Sequence, residues 1–241
     1  MLEGPDLVSA ALDAGAAIEA VYVEGSDPSA IAERAADQGV RVFTLQSGVL
    51  ATITDAQTPQ PVIAAWRFID AAPATLNDGG LTVIVHDLRD PGNAGTIVRS
   101  ADAFGAQCVI FTGHTVDPYN PKALRATAGS IFHVPVVVGR FDETADALSN
   151  AGVVLWAAVV HGGDDPSAAD LSGAVALVVG NESGGLDATT IARCDATVTI
   201  PMAGRSESLN AGVAVSLLAY EAMRQRRGAG GDRSRPSLGG L

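Results

Sequence analysis

Six apolar runs dominate residues 81–201: LTVIVHD (81–87), QCVIFTG (107–113), VPVVVG (134–139), VVLWAAVV (153–160), VALVVG (175–180) and ATVTIP (196–201). Each has strand length and is apolar at nearly every position, so each must be covered from both sides. Helical segments lie between most of them. A Gly/Pro turn after the first run feeds a helix to Phe104. NPKALRATAG (120–129) is a short helix stopped by Gly129, and a final helix runs from about Leu209 to Arg226. This alternation predicts a mostly parallel α/β sheet with helices on both faces. Ligands in such sheets sit at the carboxyl ends of strands. Three polar loops follow strands there, at 87–99, 180–187 and 201–210.

Residues 1–69 read as a separate, small α/β unit. Its strand-like runs are AVYVE (20–24), RVFTL (41–45) and PVIAAW (61–66), and Asp27-Pro28 opens a helix that Gly39 ends. Residues 70–80, DAAPATLNDGG, have linker composition. Residues 81–228 form the larger unit, and the tail at 229–241 is expected to be disordered.

The net charge of −12 argues on its face against a nucleic-acid partner. Its distribution softens this: residues 1–79 hold 11 acids against 3 bases, whereas residues 80–228 hold 15 against 10. A local arginine cluster can bind RNA on an acidic protein. No run of 18 uncharged apolar residues occurs, so no membrane span is expected. MLEGPDLVSA lacks the basic start of a signal peptide, and a cytoplasmic location is expected. Cys108 and Cys194 lie far apart in apolar contexts and read as buried free thiols. His86, His114, His133 and His161 are scattered, and no metal is expected.

The first loop and helix read DLRDPGNAGTIVRSADAFGA (87–106). Pro91 and Gly92 turn the chain, Asn93 can cap the helix, and Arg99 lies six residues on. Taken alone, this is equally an N-cap and a solvated arginine. The small residues Ala94, Gly95, Ala101, Ala103 and Gly105 imply close packing against the sheet or a partner chain. The second loop, LVVGNESGGLD (177–187), runs through Gly180, Asn181 and Glu182 into two glycines. Glycine admits close backbone approach to a ligand, and Glu182 suits a position beside a cation. The loop is neither a Walker A sequence nor a dinucleotide-binding GxGxxG. Alone, it is also a tight turn with a solvated carboxylate. The third, IPMAGRSESLNAGVAVSLLAYEA (200–222), feeds Met202, Gly204, Ser206, Ser208 and Asn210 into an alanine-rich helix. Helix N-terminal amides hold ligands well, although a plain helix capped by Ser208 would read the same.

Taken together, N-x-G-x-x-x-R, G-N-E-x-x-G-L and IPM-x-G-x-x-x-SLN with a YEA-containing helix resemble, in order, the three motifs of the SpoU/TrmH ribose 2′-O-methyltransferases. The match covers residues 81–226. The resemblance implies the SPOUT fold, a mostly parallel sheet whose C-terminal segment threads a trefoil knot, although chains generally avoid knots. It also implies S-adenosylmethionine as methyl donor and no metal. Carried over by position, Gly180, Ile200 and Leu209 would line the cofactor site, with Asn181, Glu182, Met202 and Ser208 near it. EGPDLVSAALDAG and TDAQTPQPVIAAW (54–66) resemble the first helix and closing strand of the family's ribosomal-protein-like substrate-binding domain, over residues 1–69. NPKALRATAGSIFHVPV (120–136) resembles the segment shaping the RNA-facing side.

The implied reaction is methyl transfer to a ribose 2′-hydroxyl of RNA, with 23S ribosomal RNA favoured over tRNA. A fold-sharing RNA-binding or assembly protein without catalysis is the competing class. Arg99 matches the residue the family is thought to use on the hydroxyl. A guanidinium holds its proton too tightly to be a good base, so Arg99 is read as orienting and charge-stabilising. Asn93 would hold Arg99 or the substrate, while Ser208 and Asn210 tie the third loop to Glu182; these five residues are the catalytic candidates. Arg89, Lys122, Arg125 and Arg205 are the candidate RNA contacts. A homodimer is implied, with the first-loop helix acting near the partner's cofactor.

Overall fold

Residues 1–25, 29–54, 60–68 and 80–229 are described by the computed structural model, and they build two sheets. The first contains β1 (Leu2–Glu3), β2 (Ile18–Glu24), β3 (Arg41–Leu45) and β4 (Val62–Trp66) in the order β1-β4-β2-β3. β2 and β3 run parallel, and β4 is antiparallel to both β2 and β1. Helix α1 (Pro5–Asp13) has proline in its first turn, where no amide partner is lost, and buries Leu7, Val8, Ala11 and Leu12. Helices α2 (Ser29–Asp37) and α3 (Leu50–Ile53) complete the unit. The expected Asp27-Pro28 helix start, residues 55–59 of the segment 54–66, linker residues 70–79 and tail residues 230–241 lie outside the described residues. The two-residue β1 and four-residue α3 are too short for periodicity to announce.

The second sheet has β5 (Leu81–His86), β6 (Ala106–Thr112), β7 (Val136–Gly139), β8 (Val154–Ala158), β9 (Val175–Val179) and β10 (Ala196–Val198). Its order is β10-β8-β9-β5-β6-β7 with every pairing parallel. Alternation along the strands sorts the core into two layers. Val83, Val85, Val109, Phe111, Leu177 and Val179 face one side, under α4 (Pro91–Ala103) and α8 (Ala211–Ala229). Ile84, Ile110, Leu155 and Val178 face the other, with Phe141 and Leu148 of α6 (Phe141–Asn150). Helices α5 (Pro121–Thr127) and α7 (Ala188–Ala192) and a 3₁₀ turn at Ser130–Phe132 fill the connections. The final helix begins at Ala211, two residues later than its expected start, because Asn210 serves as its cap.

Two further expectations are refined. Ala94 and Ala101 are buried, and a Cβ on Gly95 would overlap Ala123 and Ala126 of α5, so those three positions let helices approach closely. Ala103 and Gly105 are exposed and do not belong to that contact. Cys108 is buried and Cys194 half-buried; both are free, and burial pushes each thiol up to about 11, out of the reactive range.

The two sheets are joined by side chains. Arg125 of α5 donates to Glu3 of β1 at 2.8 Å. Glu3 is only 5% exposed, and its other carboxylate oxygen has no hydrogen-bond partner among the described residues. Trp66 packs edge-on against Tyr119 and Phe132 of the larger unit, with centroids 5.9 and 5.1 Å away. Arg125, a candidate RNA contact, is thus engaged in holding the first sheet. Replacing Arg125 by Met leaves a buried carboxylate uncompensated and is expected to cost about 1–3 kcal/mol, the usual range for such orphaned groups. Adding Glu3→Leu to that variant is expected to restore most of the loss, as read from urea midpoints; additive losses would show that the pair does not carry the contact.

Candidate functional site

The three polar loops meet at the carboxyl ends of β5, β9 and β10. After β5, Asp87 adopts a left-handed backbone (φ 55°) and its carboxylate accepts from the His114 amide at 2.6 Å. The chain then reaches Asp90, whose carboxylate accepts from the Asn93 amide at 2.8 Å and caps α4. That bond is the main reason the Asp90 carboxyl is held below its ordinary value. Asn93 was expected to be the cap. Asp90 takes that place because it precedes Pro91 in extended backbone, which frees the Asn93 side chain for another task.

After β9, the loop closes on itself. Asn181 and Gly185 exchange backbone hydrogen bonds at 3.2 and 3.0 Å, and the Asn181 side chain accepts from the Ser183 and Gly184 amides. A Cβ on Gly180 would overlap the Gly185 backbone, so the small residue at 180 serves the loop's own closure first. At its end, Asp187 caps α7; bonds from the Thr190 amide and the Thr189 hydroxyl hold its carboxyl down at about 2.

Glu182 is the meeting point. It accepts from the Asn93 side-chain amide at 2.8 Å, the Asp90 amide at 3.2 Å and the Arg89 amide at 3.4 Å. Burial alone would push this carboxyl up, but the Asn93 side chain and the backbone amides of Glu182, Asp90 and Arg89 outweigh it and hold it low. A carboxylate so held keeps its charge and is a weak base. The third loop joins through the same asparagine: Asn210 donates from its side chain to Asn93 Oδ1 at 2.7 Å. The Asn210 oxygen meanwhile accepts from the Gly212 and Val213 amides, capping α8. The expected tie of the third loop to Glu182 therefore runs through Asn93 and uses Asn210. Ser208 takes no part in it; its carbonyl accepts from the Ser206 hydroxyl at 2.8 Å.

These loops enclose a cavity of about 240 Å³. Gly180, Asn181, Glu182, Ile200, Met202, Ser208 and Leu209 all line it. Val159 and Val160, just past β8, and Ala214 and Leu218 of α8 line it too. Sequence reasoning missed these four because apolar residues at a strand end or on a helix face look like ordinary core. The lining suits a flat heterocycle joined to a charged chain: branched apolar side chains form much of the wall, and one held carboxylate stands at the rim.

The remaining candidates lie elsewhere. Arg99 is exposed on α4, does not line the cavity, and makes no side-chain hydrogen bond or ion pair among the described residues. Arg89 and Arg205 are exposed in the first and third loops. Lys122 stands 3.5 Å from Asp90 in an exposed ion pair of little energetic weight. No group of three or more His, Cys, Asp or Glu side chains able to hold a metal occurs among the described residues.

Because Glu182 is held low, the sign of its pH dependence is set. Its charge, and the loop tie it anchors, are complete above the ordinary glutamate value of 4.5 and fade only as pH falls through the lowered value. Chemical shifts of the Asn93 and Asn210 side-chain amides are expected to stay constant from neutral pH to about 5. A shift change centred near neutrality would contradict this arrangement.

Comparison with known proteins places this geometry. Residues 80–220 match the model of the SpoU rRNA Methylase family, and residues 1–64 match an MRM3-like substrate binding domain. The 23S rRNA (guanosine(2553)-2′-O)-methyltransferase RlmP of Bacillus subtilis is 31% identical, across 91% of this chain and 86% of that protein. The AdoMet-bound rRNA methyltransferase of Sinorhizobium meliloti superposes with a TM-score of 0.82 at 33% identity, covering 92% of this chain and 85% of that one. The SpoU methyltransferase AviRb of Streptomyces viridochromogenes gives 0.84 at 30% identity, covering 95% and 90%. With the family model matching more than half of the chain and relatives aligned along nearly all of it, the protein belongs to the SpoU rRNA methylase family.

Proposed function

We propose that this chain transfers a methyl group from S-adenosylmethionine to a ribose 2′-hydroxyl of ribosomal RNA. The carrying observation is the Glu182–Asn93–Asn210 chain, which draws three loops around one cavity in a protein of this family. The rRNA reading is supported by relatives named for rRNA that match both sheets, substrate-binding unit included. Residues 1–69 act as the RNA-binding unit and 81–228 as the methyltransferase unit. A cytoplasmic location is part of the same proposal and goes with its ribosomal RNA substrate. No helix among the described residues is long and apolar enough to cross a membrane.

S-adenosylmethionine, when bound, supplies a methyl group on a positively charged sulfur. Ile200, Leu209 and Leu218 offer apolar contact to its adenine, and the backbone at Gly180 and Met202 offers polar contact. Glu182 keeps a negative charge at the rim of that site. With the donor bound, the acceptor oxygen would take the methyl carbon as the carbon–sulfur electron pair stays on sulfur, leaving a neutral thioether, and the hydroxyl proton would pass to solvent water. Arg99 orients that hydroxyl and stabilises the negative charge gathering on its oxygen. Holding the reactants in line supplies much of the rate. Arg89 and Arg205, at the loop mouths, neutralise RNA phosphates, with Lys122 nearby.

Arg99 is absent from the cavity of its own chain, which a homodimer resolves. Val213, Leu217 and Tyr220 form an exposed apolar stripe on α8, each 45–50% exposed. The neighbouring α4 carries Arg99 and is bound to α8 through Ser100 and Ser216 at 2.6 Å. Pairing two copies over α8 brings each α4 towards its partner's loops. The C-terminal segment forms the family's trefoil knot; this is supported by α8 returning over β5 and β9 after β10 has added beyond β8 at the sheet edge.

Incubation with labelled S-adenosylmethionine and separate ribosomal and transfer RNA pools is expected to label the ribosomal pool at a ribose. Label entering only the transfer RNA pool, or no cofactor binding by calorimetry, would overturn the assignment. Arg99→Ala is expected to lower kcat about 100-fold or more while leaving cofactor affinity unchanged; wild-type turnover would remove Arg99 from the reaction. Leu217→Glu is expected to give a monomer by analytical ultracentrifugation and to abolish turnover. A fully active monomer would refute the shared site.

A further inference from the structure

We infer that the outer face of the N-terminal sheet holds a stacking site for an unpaired RNA base, built on Phe43 and Tyr22 with Arg41 as its cation. The inference rests on the RNA substrate proposed for this chain and specifies where the acidic unit touches it. Alternation assigns the face: Val21 and Val23 of β2 enter the core and Val42 of β3 packs against it, which turns Tyr22, Arg41 and Phe43 to the opposite face, with Tyr22 half-buried and Arg41 and Phe43 exposed at the sheet edge. Tyr22 and Phe43 are register partners, and their rings are stacked, with centroids 5.3 Å apart and planes 18° apart. β3 is an edge strand, and Phe43 is 44% exposed. One face of the Phe43 ring is occupied by Tyr22, and no described strand adjoins the far side. A third planar group extends such a stack, and every nucleobase has a face to offer.

The charges agree. Residues 1–68 contain three cationic side chains, Arg34, Arg41 and Arg67, and no lysine or histidine. Arg34 is paired with Asp13 at 2.5 Å and Arg67 with Glu19 at 2.8 Å. Arg41 has no ion pair or hydrogen bond among the described residues. Among the described residues, the unpaired cationic side chain of this acidic unit thus stands two residues from Phe43 on the same face. That spacing, roughly 7 Å along a strand, lets one nucleotide stack on Phe43 and present its phosphate to Arg41. A unit otherwise rich in carboxylates repels an RNA backbone at large, so its contact has to be local and aromatic in this way.

The test uses the full chain and a single-stranded RNA oligonucleotide carrying 2-aminopurine, whose fluorescence falls on stacking. Wild type is expected to quench the probe. Phe43→Leu keeps apolar bulk but loses the ring, and is expected to weaken binding by roughly five- to 100-fold. Phe43→Trp is expected to stay within about twofold. Arg41→Gln is expected to weaken binding and to reduce the salt dependence by about one ion. In methyl transfer, Phe43→Leu is expected to raise KM for ribosomal RNA with kcat unchanged and with S-adenosylmethionine affinity unchanged by calorimetry. Equal quenching and equal KM in wild type and Phe43→Leu would overturn the stacking site while leaving the methyltransferase assignment standing. A sedimentation shift in Phe43→Leu with RNA affinity unchanged would mark a protein contact and overturn it as well. A wild type that binds no S-adenosylmethionine defeats the enzymatic assignment, and the quenching comparison still decides the stacking site.

Discussion

Asn93 holds two loops at once. Its side-chain amide donates to Glu182 at 2.8 Å and its oxygen accepts from Asn210 at 2.7 Å, so one residue on α4 joins the loop after β9 to the loop after β10. Neither of those loops has a core of its own; most residues from 203 to 210 are exposed. Without this chain of amides and a carboxylate, the cavity would have no fixed rim. The cost of ordering these groups is offset because each bond does a second job. Asp90 caps α4 and offers its amide to Glu182, and Asn210 caps α8 and reaches Asn93.

This economy bears on the chemistry proposed for Glu182. A carboxylate that accepts three hydrogen bonds is fixed in place and charged, which suits a neighbour to a cation better than a proton acceptor. The negative charge at the rim is thus a constant of the site. In the proposed reaction the proton of the acceptor hydroxyl then leaves by another route, and Arg99, exposed on α4 with no side-chain partner among the described residues, is the group proposed to stabilise the oxygen. The exposed stripe of Val213, Leu217 and Tyr220 and the exposed Arg99 lie on adjacent helices, so assembly and catalysis draw on the same surface in the proposed dimer.

The small unit is anchored as well. The Glu3–Arg125 pair and the edge contacts of Trp66 with Tyr119 and Phe132 fix it against α5 and the 3₁₀ turn. Arg125 stands where a reader of the sequence would place a phosphate contact. A buried carboxylate engages it as well, because Glu3 lies within reach only after the sheets have docked.

Read by itself, the sequence determines the sheet. Runs such as VALVV and LTVIVH are apolar on both faces, and such strands have no stable place except between two helical layers. The three motifs also single out the loops, and all seven positions read as cofactor contacts line the cavity. These are local properties, carried by residue type and spacing. Only the tertiary structure decided which side chains meet. Asn93 is separated from Glu182 by 89 residues and from Asn210 by 117, and nothing in their spacing distinguishes a cap from a strut. Asp90 displaced Asn93 as cap, Arg125 was engaged by Glu3, and Val159 and Leu218 became lining as well as core. In each case the deciding partner is distant in the chain, and hydrogen bonding and burial depend on where that partner lies once folded.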